Sequence, residues 1–109
     1  QVYAQVTSST ANGIQFSIDI PTSATMNIIG LSNNSSTTTF REGSTSIDDS
    51  AIFNASIMLS SSITGLVLIY GTVFNGANAG NIQLRMKMNT AGDTGTVLKG
   101  TSINAQRLA

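Results

Sequence analysis

The chain has 109 residues, of which 40% are hydrophobic and only 9% charged, with a formal net charge of +0 at pH 7. This length suits one folded domain spanning residues 1–109, and the composition lacks the low hydrophobicity and high charge typical of disorder. No basic run suggests nucleic-acid binding, and no apolar run is long enough to insert into a membrane. Histidine and cysteine are absent, which excludes disulfides, thiolate metal sites and every His- or Cys-dependent catalytic dyad or triad.

The first third of the chain predicts three strands. Gln1–Val6 alternates apolar and polar residues and is followed by the turn-forming cluster Ser8–Gly13. Ile14–Ile20 alternates more cleanly, with an apolar side chain at every second position, and Pro21 ends it because proline cannot donate to a strand ladder. Met26–Leu31 is a short apolar run that predicts a third strand.

The middle of the chain is less regular. Ser32–Ser36 has the composition of a loop, Thr37–Phe40 that of a short strand, and the four residues from Arg41 to Ser44 that of a turn. Ser44–Ser50 is compatible with a loop or with an edge strand. Ala51–Leu59 alternates again and predicts a strand whose inward residues are Phe53, Ala55, Ile57 and Leu59.

Two strands of different kinds follow, joined by a Gly- and Asn-rich loop. Ile82–Met88 places Ile82, Leu84, Met86 and Met88 on one face and polar residues on the other, as a half-buried strand does. The segment from Leu66 to Phe74 is apolar on both faces: one face carries Leu66, Leu68, Tyr70 and Phe74, and the other Val67, Ile69 and Val73. A strand that is apolar on both faces must be covered on both.

In so short a chain, the core of the domain can cover one of these faces. The second face is either buried by a loop of the same subunit or covered by another copy of the chain. A buried Leu, Phe or Ile side chain contributes roughly 1.5–3 kcal/mol. Four such residues would contribute about 6–12 kcal/mol, comparable with the roughly 5–15 kcal/mol that stabilises a typical domain. We therefore expect a subunit interface, with Leu66, Leu68, Tyr70 and Phe74 as its candidate residues.

The C-terminal part predicts a short strand at Thr96–Leu98, a tight turn at Lys99-Gly100 and a closing strand at Thr101–Leu108. No stretch shows sustained helical spacing of apolar residues. About eight strands separated by turn signals every 8–12 residues are typical of a sandwich or barrel. The predicted fold class is therefore all-β, a two-sheet antiparallel β-sandwich of jelly-roll type.

Charged residues give no sign of catalysis. A glycosidase needs two carboxylates facing each other across a cleft, whereas Asp48 and Asp49 are adjacent and Asp19 points outward from a strand. Oxygen ligands from the Asp48-Asp49 pair could bind Ca²⁺, but the chain lacks the EF-hand pattern. We predict no enzyme, no cofactor and no metal site. Arg85 and Lys87 are either solvated charges that discourage aggregation or partners of acidic residues on a neighbouring subunit.

Short sequence motifs in the second half point to a family. The segment QLRMKMN contains Gln83, Leu84, Arg85 and Asn89; a Thr/Ala/Gly loop, the run TVLKGT (96–101) and the final Arg107-Leu108 follow it. This succession, over roughly residues 51–109, resembles the C-terminal modules of tailed-bacteriophage virion proteins, namely tail fibres, tail-tip proteins and head fibres. The resemblance implies a homotrimeric β-sandwich similar to complement C1q and tumour-necrosis-factor domains, located on the virion surface.

The resulting hypothesis is a phage structural protein, the trimeric knob of a tail fibre or appendage, which trimerises and attaches to a host receptor, either glycan or protein. We expect the chain to be the C-terminal fragment of a longer protein that contacts other virion proteins. Two alternatives are a capsid decoration or head-fibre module and a free-standing carbohydrate-binding module. Receptor contacts are expected in loops, namely Ser32–Ser36, Gly43–Ser50, Asn75–Asn81 and Asn89–Gly95. None of these loops contains an aromatic residue, so no receptor-binding residue is predicted.

Overall fold

The structure is a computed structural model that describes residues 1–33, 40–53 and 64–108. These ranges contain eight strands and no helix, and therefore no helix that could span a membrane. The strands are β1 (Val2–Ser8), β2 (Ile14–Asp19), β3 (Thr25–Asn33), β4 (Phe40–Thr45), β5 (Gly65–Phe74), β6 (Gln83–Met88), β7 (Gly95–Val97) and β8 (Ser102–Ile103).

The larger sheet has the strand order β4-β3-β5-β1-β7, and β8 also pairs with β1. All of its pairings are antiparallel. Strand β5 lies at the centre, where Leu68 is opposite Tyr3 of β1 on one side and opposite Leu31 of β3 on the other. Directly opposed residues of antiparallel strands share a face, so this register determines which side chains lie together.

The smaller sheet consists of β2 and β6, paired antiparallel from Ile14↔Met88 to Asp19↔Gln83. Segment 48–52 runs along the other edge of β2, where the backbone N–H of Asp49 donates to the carbonyl of Ile18 (3.0 Å) and that of Ile52 to the carbonyl of Phe16 (2.9 Å). The chain thus passes from β4 of the larger sheet to the edge of the smaller one, which links the two layers.

The core lies between the two sheets. Its buried side chains come from both sheets and from segment 48–53: Val2, Ala4, Val6, Ile14, Phe16, Ile18, Ile20, Met26, Ile28, Ile52, Phe53, Val67 and Ile69. Leu84, Met86 and Met88 of β6 are partly buried against it. The predicted all-β fold with two antiparallel sheets is confirmed, and the arrangement is consistent with a β-sandwich.

Several of the predicted strands are confirmed. β1 and β2 bury every second side chain, as the alternation of Gln1–Val6 and Ile14–Ile20 predicts. β5 covers the predicted Leu66–Phe74, and β7 overlaps Thr96–Leu98. Lys99 and Gly100 form the predicted turn, with Gly100 at a φ of 99°, a left-handed conformation that glycine adopts readily.

The predicted turn from Arg41 to Ser44 is wrong, because these residues belong to β4, and the predicted loop from Ser32 is wrong for Ser32 and Asn33, which end β3. Gly43 suggested a turn, but it is a strand residue opposite Gly30. A Cβ on Gly43 would clash with the backbone of Ile52 and Phe53, so glycine is needed there for close packing.

Two further predictions fail near the ends of strands. Ile82 lies outside β6 and is 50% exposed, so it does not belong to the inward row. The closing strand predicted for Thr101–Leu108 is reduced to the two residues of β8, and 104–108 are exposed. Phe53, predicted inward in Ala51–Leu59, is buried, and so is Ile52. The rest of the Ala51–Leu59 prediction and most of Thr37–Phe40 lie outside the described residues.

We expect the change Ile14→Ala to lower the free energy of unfolding by about 2–5 kcal/mol, because it removes buried methyl groups and leaves a cavity. The matched change Ile82→Ala removes the same atoms from a half-exposed side chain and should cost about 1 kcal/mol or less. Urea denaturation followed by circular dichroism measures both. Equal losses would mean that Ile82 is an inward residue after all.

Candidate interaction surface

Strand β5 divides its apolar side chains between two environments. Val67 and Ile69 are buried in the core between the sheets, and Val73 packs against it. The opposite face carries all four candidate interface residues: Leu66 and Leu68 are half-buried, Tyr70 is 41% exposed and Phe74 is 60% exposed. The structure thus establishes which face of β5 the core covers and leaves the face of Leu66, Leu68, Tyr70 and Phe74 on the outside.

Neighbouring strands extend this outer face. Tyr3 of β1 and Leu31 of β3 flank Leu68 on either side, and Ile29 of β3, which is 61% exposed, lies opposite Tyr70. We call the set Tyr3, Ile29, Leu31, Leu66, Leu68, Tyr70 and Phe74 the outer apolar face. Among the described residues that the register places on this side of the sheet, the charged one is Glu42, opposite Leu31 on edge strand β4.

Gly71 of β5 is needed for packing within the subunit. In the structure a Cβ on Gly71 would clash with the Cδ1 of Ile28 and the carbonyl oxygen of Asn27. Gly71 therefore allows β3 and β5 of one chain to pack closely.

Arg85 forms ion pairs within its own subunit. Its guanidinium donates to Asp19 Oδ2 (2.8 Å) and to Asp49 Oδ2 (2.6 Å), which joins β6, β2 and segment 48–52. Ser17 Oγ donates to Asp49 Oδ1 (2.6 Å), and this hydrogen bond, followed by the charge of Arg85, lowers the pKa of Asp49 below its ordinary value. Arg85 thus holds segment 48–52 against the smaller sheet, an arrangement that sequence reasoning missed.

The Asp48-Asp49 pair, a candidate calcium site in the sequence, also attaches segment 48–52 to the smaller sheet. Asp48 Oδ1 accepts a hydrogen bond from the backbone N–H of Ile20 (2.9 Å), just beyond the end of β2. Asp48 therefore binds a backbone N–H, and Asp49 binds a hydroxyl and a guanidinium. No cluster of three or more potential metal ligands occurs within residues 1–33, 40–53 and 64–108.

Two of the candidate receptor loops are bound to other parts of the chain. Asp93, in Asn89–Gly95, accepts hydrogen bonds through Oδ2 from Thr10 Oγ1 (2.6 Å) and Asn12 Nδ2 (2.9 Å). These hydrogen bonds lower the pKa of Asp93 below its ordinary value. Asn75–Asn81 is exposed and contacts Thr22 through Asn78, while the residues of Ser32–Ser36 beyond Asn33 lie outside the described ranges.

Gly43–Ser50 combines two types of structure. Its first residues complete β4, and the remainder turns toward the smaller sheet. This turn brings hydroxyl side chains near Tyr70, which is distant in sequence. The aromatic residue that the loop itself lacks therefore comes from β5, and only the three-dimensional pairing of β3, β4 and β5 reveals it.

Comparison with known proteins gives no match: no family model, no curated protein and no solved structure is similar to this chain.

The lowered pKa of Asp93 makes a testable contribution to stability. A carboxylate whose pKa is lowered by folding stabilises the native state above its ordinary pKa and loses this contribution as pH falls through the lowered value. We expect the difference in urea midpoint between wild type and Asp93→Asn to shrink from neutral pH to about pH 2.

Thr10→Val should raise the pKa of Asp93 toward its ordinary value, as measured by NMR titration of the carboxyl carbon. Thr101→Val, which removes a hydroxyl bonded to the carbonyl of Leu98, is the matched control and should leave this pKa unchanged. An unchanged pKa in Thr10→Val would contradict the assignment of the shift to the Thr10 hydroxyl.

Proposed function

We propose that the chain is a homotrimeric β-sandwich module on the surface of a tailed-phage virion, the knob of a tail fibre or related appendage. Its tasks are to hold three chains together and to present host-binding surfaces. The observation that supports this proposal best is the outer apolar face, a group of large apolar side chains on the face of the larger sheet opposite the core.

The energetic argument starts from the exposure of this face. Extended apolar patches are uncommon on soluble monomers and mark interaction sites. Ile29, Tyr70 and Phe74 keep between 41% and 61% of their surface exposed. At about 25 cal/mol per Å² of apolar area, covering them together with their half-buried neighbours yields several kcal/mol per subunit. This gain favours association once several copies meet.

The chemistry of the face favours another copy of the chain as the occupant. Cores of protein interfaces are depleted of charge and enriched in aromatic residues. The outer apolar face includes Tyr3, Tyr70 and Phe74, and Glu42 lies at its β4 edge. A strongly charged partner would find only the carboxylate of Glu42 at the edge, whereas a second subunit of zero net charge fits the apolar centre. We place the centre of the contact at Leu66 and Leu68.

The surfaces that meet at the contact determine how many subunits a closed assembly can have. If two outer apolar faces packed on each other, the contact would be isologous and would close as a dimer. If the face packed on a different surface of the neighbour, the contact would be heterologous and could close as a ring. We propose a ring of three, as in the phage modules that the second half of the chain resembles.

A trimeric knob suits attachment because it presents three identical surfaces on one rigid body. Linked sites bind a multivalent host surface with an effective affinity far above that of one site, without any new contact. Individually weak recognition by each subunit is therefore sufficient for adhesion.

We expect light scattering coupled to size-exclusion chromatography to give three times the subunit mass of 11.3 kDa at micromolar concentration. Phe74→Asp places a charge in the proposed contact at an exposed position, so the subunit should fold and the trimer should dissociate. Leu68→Asp should dissociate it more completely, because Leu68 lies at the centre of the face.

Gln15→Asp is the matched control, because Gln15 lies on the polar face of the smaller sheet opposite Lys87. This variant should stay trimeric, and circular dichroism verifies the fold of all three variants. A monomeric wild type would disprove the assembly, and a trimer that persists in both Phe74→Asp and Leu68→Asp would show that the contact lies on another surface.

A further inference from the structure

A groove of about 690 Å³ lies at the margin of the outer apolar face, where β4 separates from β3. The last β3–β4 pair is Ile28↔Thr45. Beyond it the chain turns toward β2 and leaves an opening between the end of β4 and the face of β3 and β5. The walls come from these strands and from the turn, with Asn27, Ile29, Ser44, Ser46, Ser50 and Tyr70 as the residues relevant to binding.

The turn that forms one wall is fixed by its own hydrogen bonds. Thr45 Oγ1 donates to the carbonyl of Ile47 and accepts from the N–H of Ile47 (3.4 and 3.1 Å). The N–H of Ser50 donates to the carbonyl of Ile47 (3.3 Å), and Asp49 is tied to the smaller sheet through Arg85. The wall is therefore held in place before any ligand binds, which reduces the entropic cost of recognition.

Among the described residues, none that lines the groove carries a charge. An anionic ligand such as a phosphate or a carboxylated sugar would find no cation in the wall, and a cationic ligand would find no carboxylate. The lining instead combines the exposed Tyr70 ring and the Ile29 side chain with the amide of Asn27 and the hydroxyls of Ser44, Ser46 and Ser50. These groups present one apolar side and several neutral hydrogen-bonding groups.

We propose that this groove binds a neutral saccharide of one or two rings. A sugar ring has an apolar C–H face and a rim of hydroxyls, which match the Tyr70 ring and the surrounding amide and hydroxyl groups, respectively. The volume falls within the roughly 300–1,000 Å³ of small-molecule sites. The proposal rests on the proposed function, since it specifies a receptor chemistry and a site for the attachment module.

Tyr70 is shared between the groove and the proposed subunit contact. Leu68, two residues before it, lies at the centre of that contact, while Ser44 and Asn27 lie on the groove side. Saccharide binding requires that the Tyr70 ring stays accessible in the assembled protein. This requirement can be measured separately from binding.

Tyrosine fluorescence provides the measurement. The chain has two tyrosines and no tryptophan, so Tyr3→Phe leaves Tyr70 as the single emitter. In the assembled Tyr3→Phe protein, acrylamide should quench this emission, and a bound sugar should reduce the quenching. Emission that resists acrylamide in the assembled Tyr3→Phe protein but not in a monomer carrying both Tyr3→Phe and Phe74→Asp would place Tyr70 inside the subunit contact and overturn the proposal.

Amide NMR spectra of the assembled protein identify the site. The probes are glucose, galactose, mannose, N-acetylglucosamine, N-acetylgalactosamine and lactose, with N-acetylneuraminic acid as the anionic control. At least one neutral sugar should shift the amides of Asn27, Ser44 and Tyr70. The groove beside Gln15, Asp49, Arg85 and Lys87 is the internal control and should not respond to neutral sugars. No shift at Asn27, Ser44 and Tyr70 with any neutral probe overturns the proposal.

Variants separate stacking from hydrogen bonding. Tyr70→Ala should weaken binding of the active sugar about tenfold, and Tyr70→Phe should retain most of it because the ring remains. Equal affinity for Tyr70→Ala and wild type overturns the role of the ring. A trimer without sugar-induced shifts refutes the saccharide site alone. A monomer with shifts at the groove refutes the trimer and leaves the saccharide site standing.

Discussion

Strand β5 is hydrogen-bonded along both edges and apolar on both faces, and the architecture of the larger sheet follows from this. Its position between β3 and β1 brings the N-terminal strand next to a segment more than 60 residues away in sequence. Val67 and Ile69 contribute to the core, while Leu66 and Leu68 line the opposite side. One subunit buries the face of Val67 and Ile69 completely, but it covers the face of Leu66 and Leu68 only in part.

Polar side chains join segments of the chain that are distant in sequence, in a protein without disulfides. The carboxylates of Asp48, Asp49 and Asp93 each accept hydrogen bonds from residues distant in sequence. Asn33 is buried at the end of β3, where its side chain accepts from the N–H of Leu66 (2.5 Å) and donates to the carbonyl of Thr64 (3.3 Å). These bonds fix where β5 begins, because they occupy backbone groups beside its first residues.

The sequence predicts the strands whose side chains alternate, because alternation follows directly from the geometry of a strand with one buried face. It therefore identifies β1, β2 and β6, whereas β5 is identified by a run that is apolar on both faces. It misses β4, since Gly43 is a turn signal unless the packing of Ile52 and Phe53 above it is known. It also misplaces Ile82, because a two-residue period does not reveal where pairing with β2 stops. These failures concern contacts between residues that are far apart in the chain.

Part of the candidate surface is likewise predictable from the sequence, and part depends on contacts between distant residues. Leu66, Leu68, Tyr70 and Phe74 share a face by simple alternation, so their position on one side of β5 is predictable, whereas the structure shows that the core covers the other side. The contribution of Tyr3, Ile29 and Leu31 depends on register between strands, which sequence patterns do not determine. The groove beside Tyr70 depends further on where β4 leaves β3. The sequence alone therefore could not show that the aromatic ring and the hydroxyl groups line the same groove.

The outer apolar face and the groove share a low content of charged residues. With 9% charged residues, and with Asp19, Asp49 and Arg85 engaged in one internal network, little charge remains for steering a partner or a ligand. Under the proposed function, recognition would then arise from apolar area, aromatic rings and neutral hydrogen bonds, which are individually weak and insensitive to salt. Weak sites become effective when they are repeated on one body. A face that gathers several copies and a neutral groove at its margin would therefore depend on each other for useful affinity.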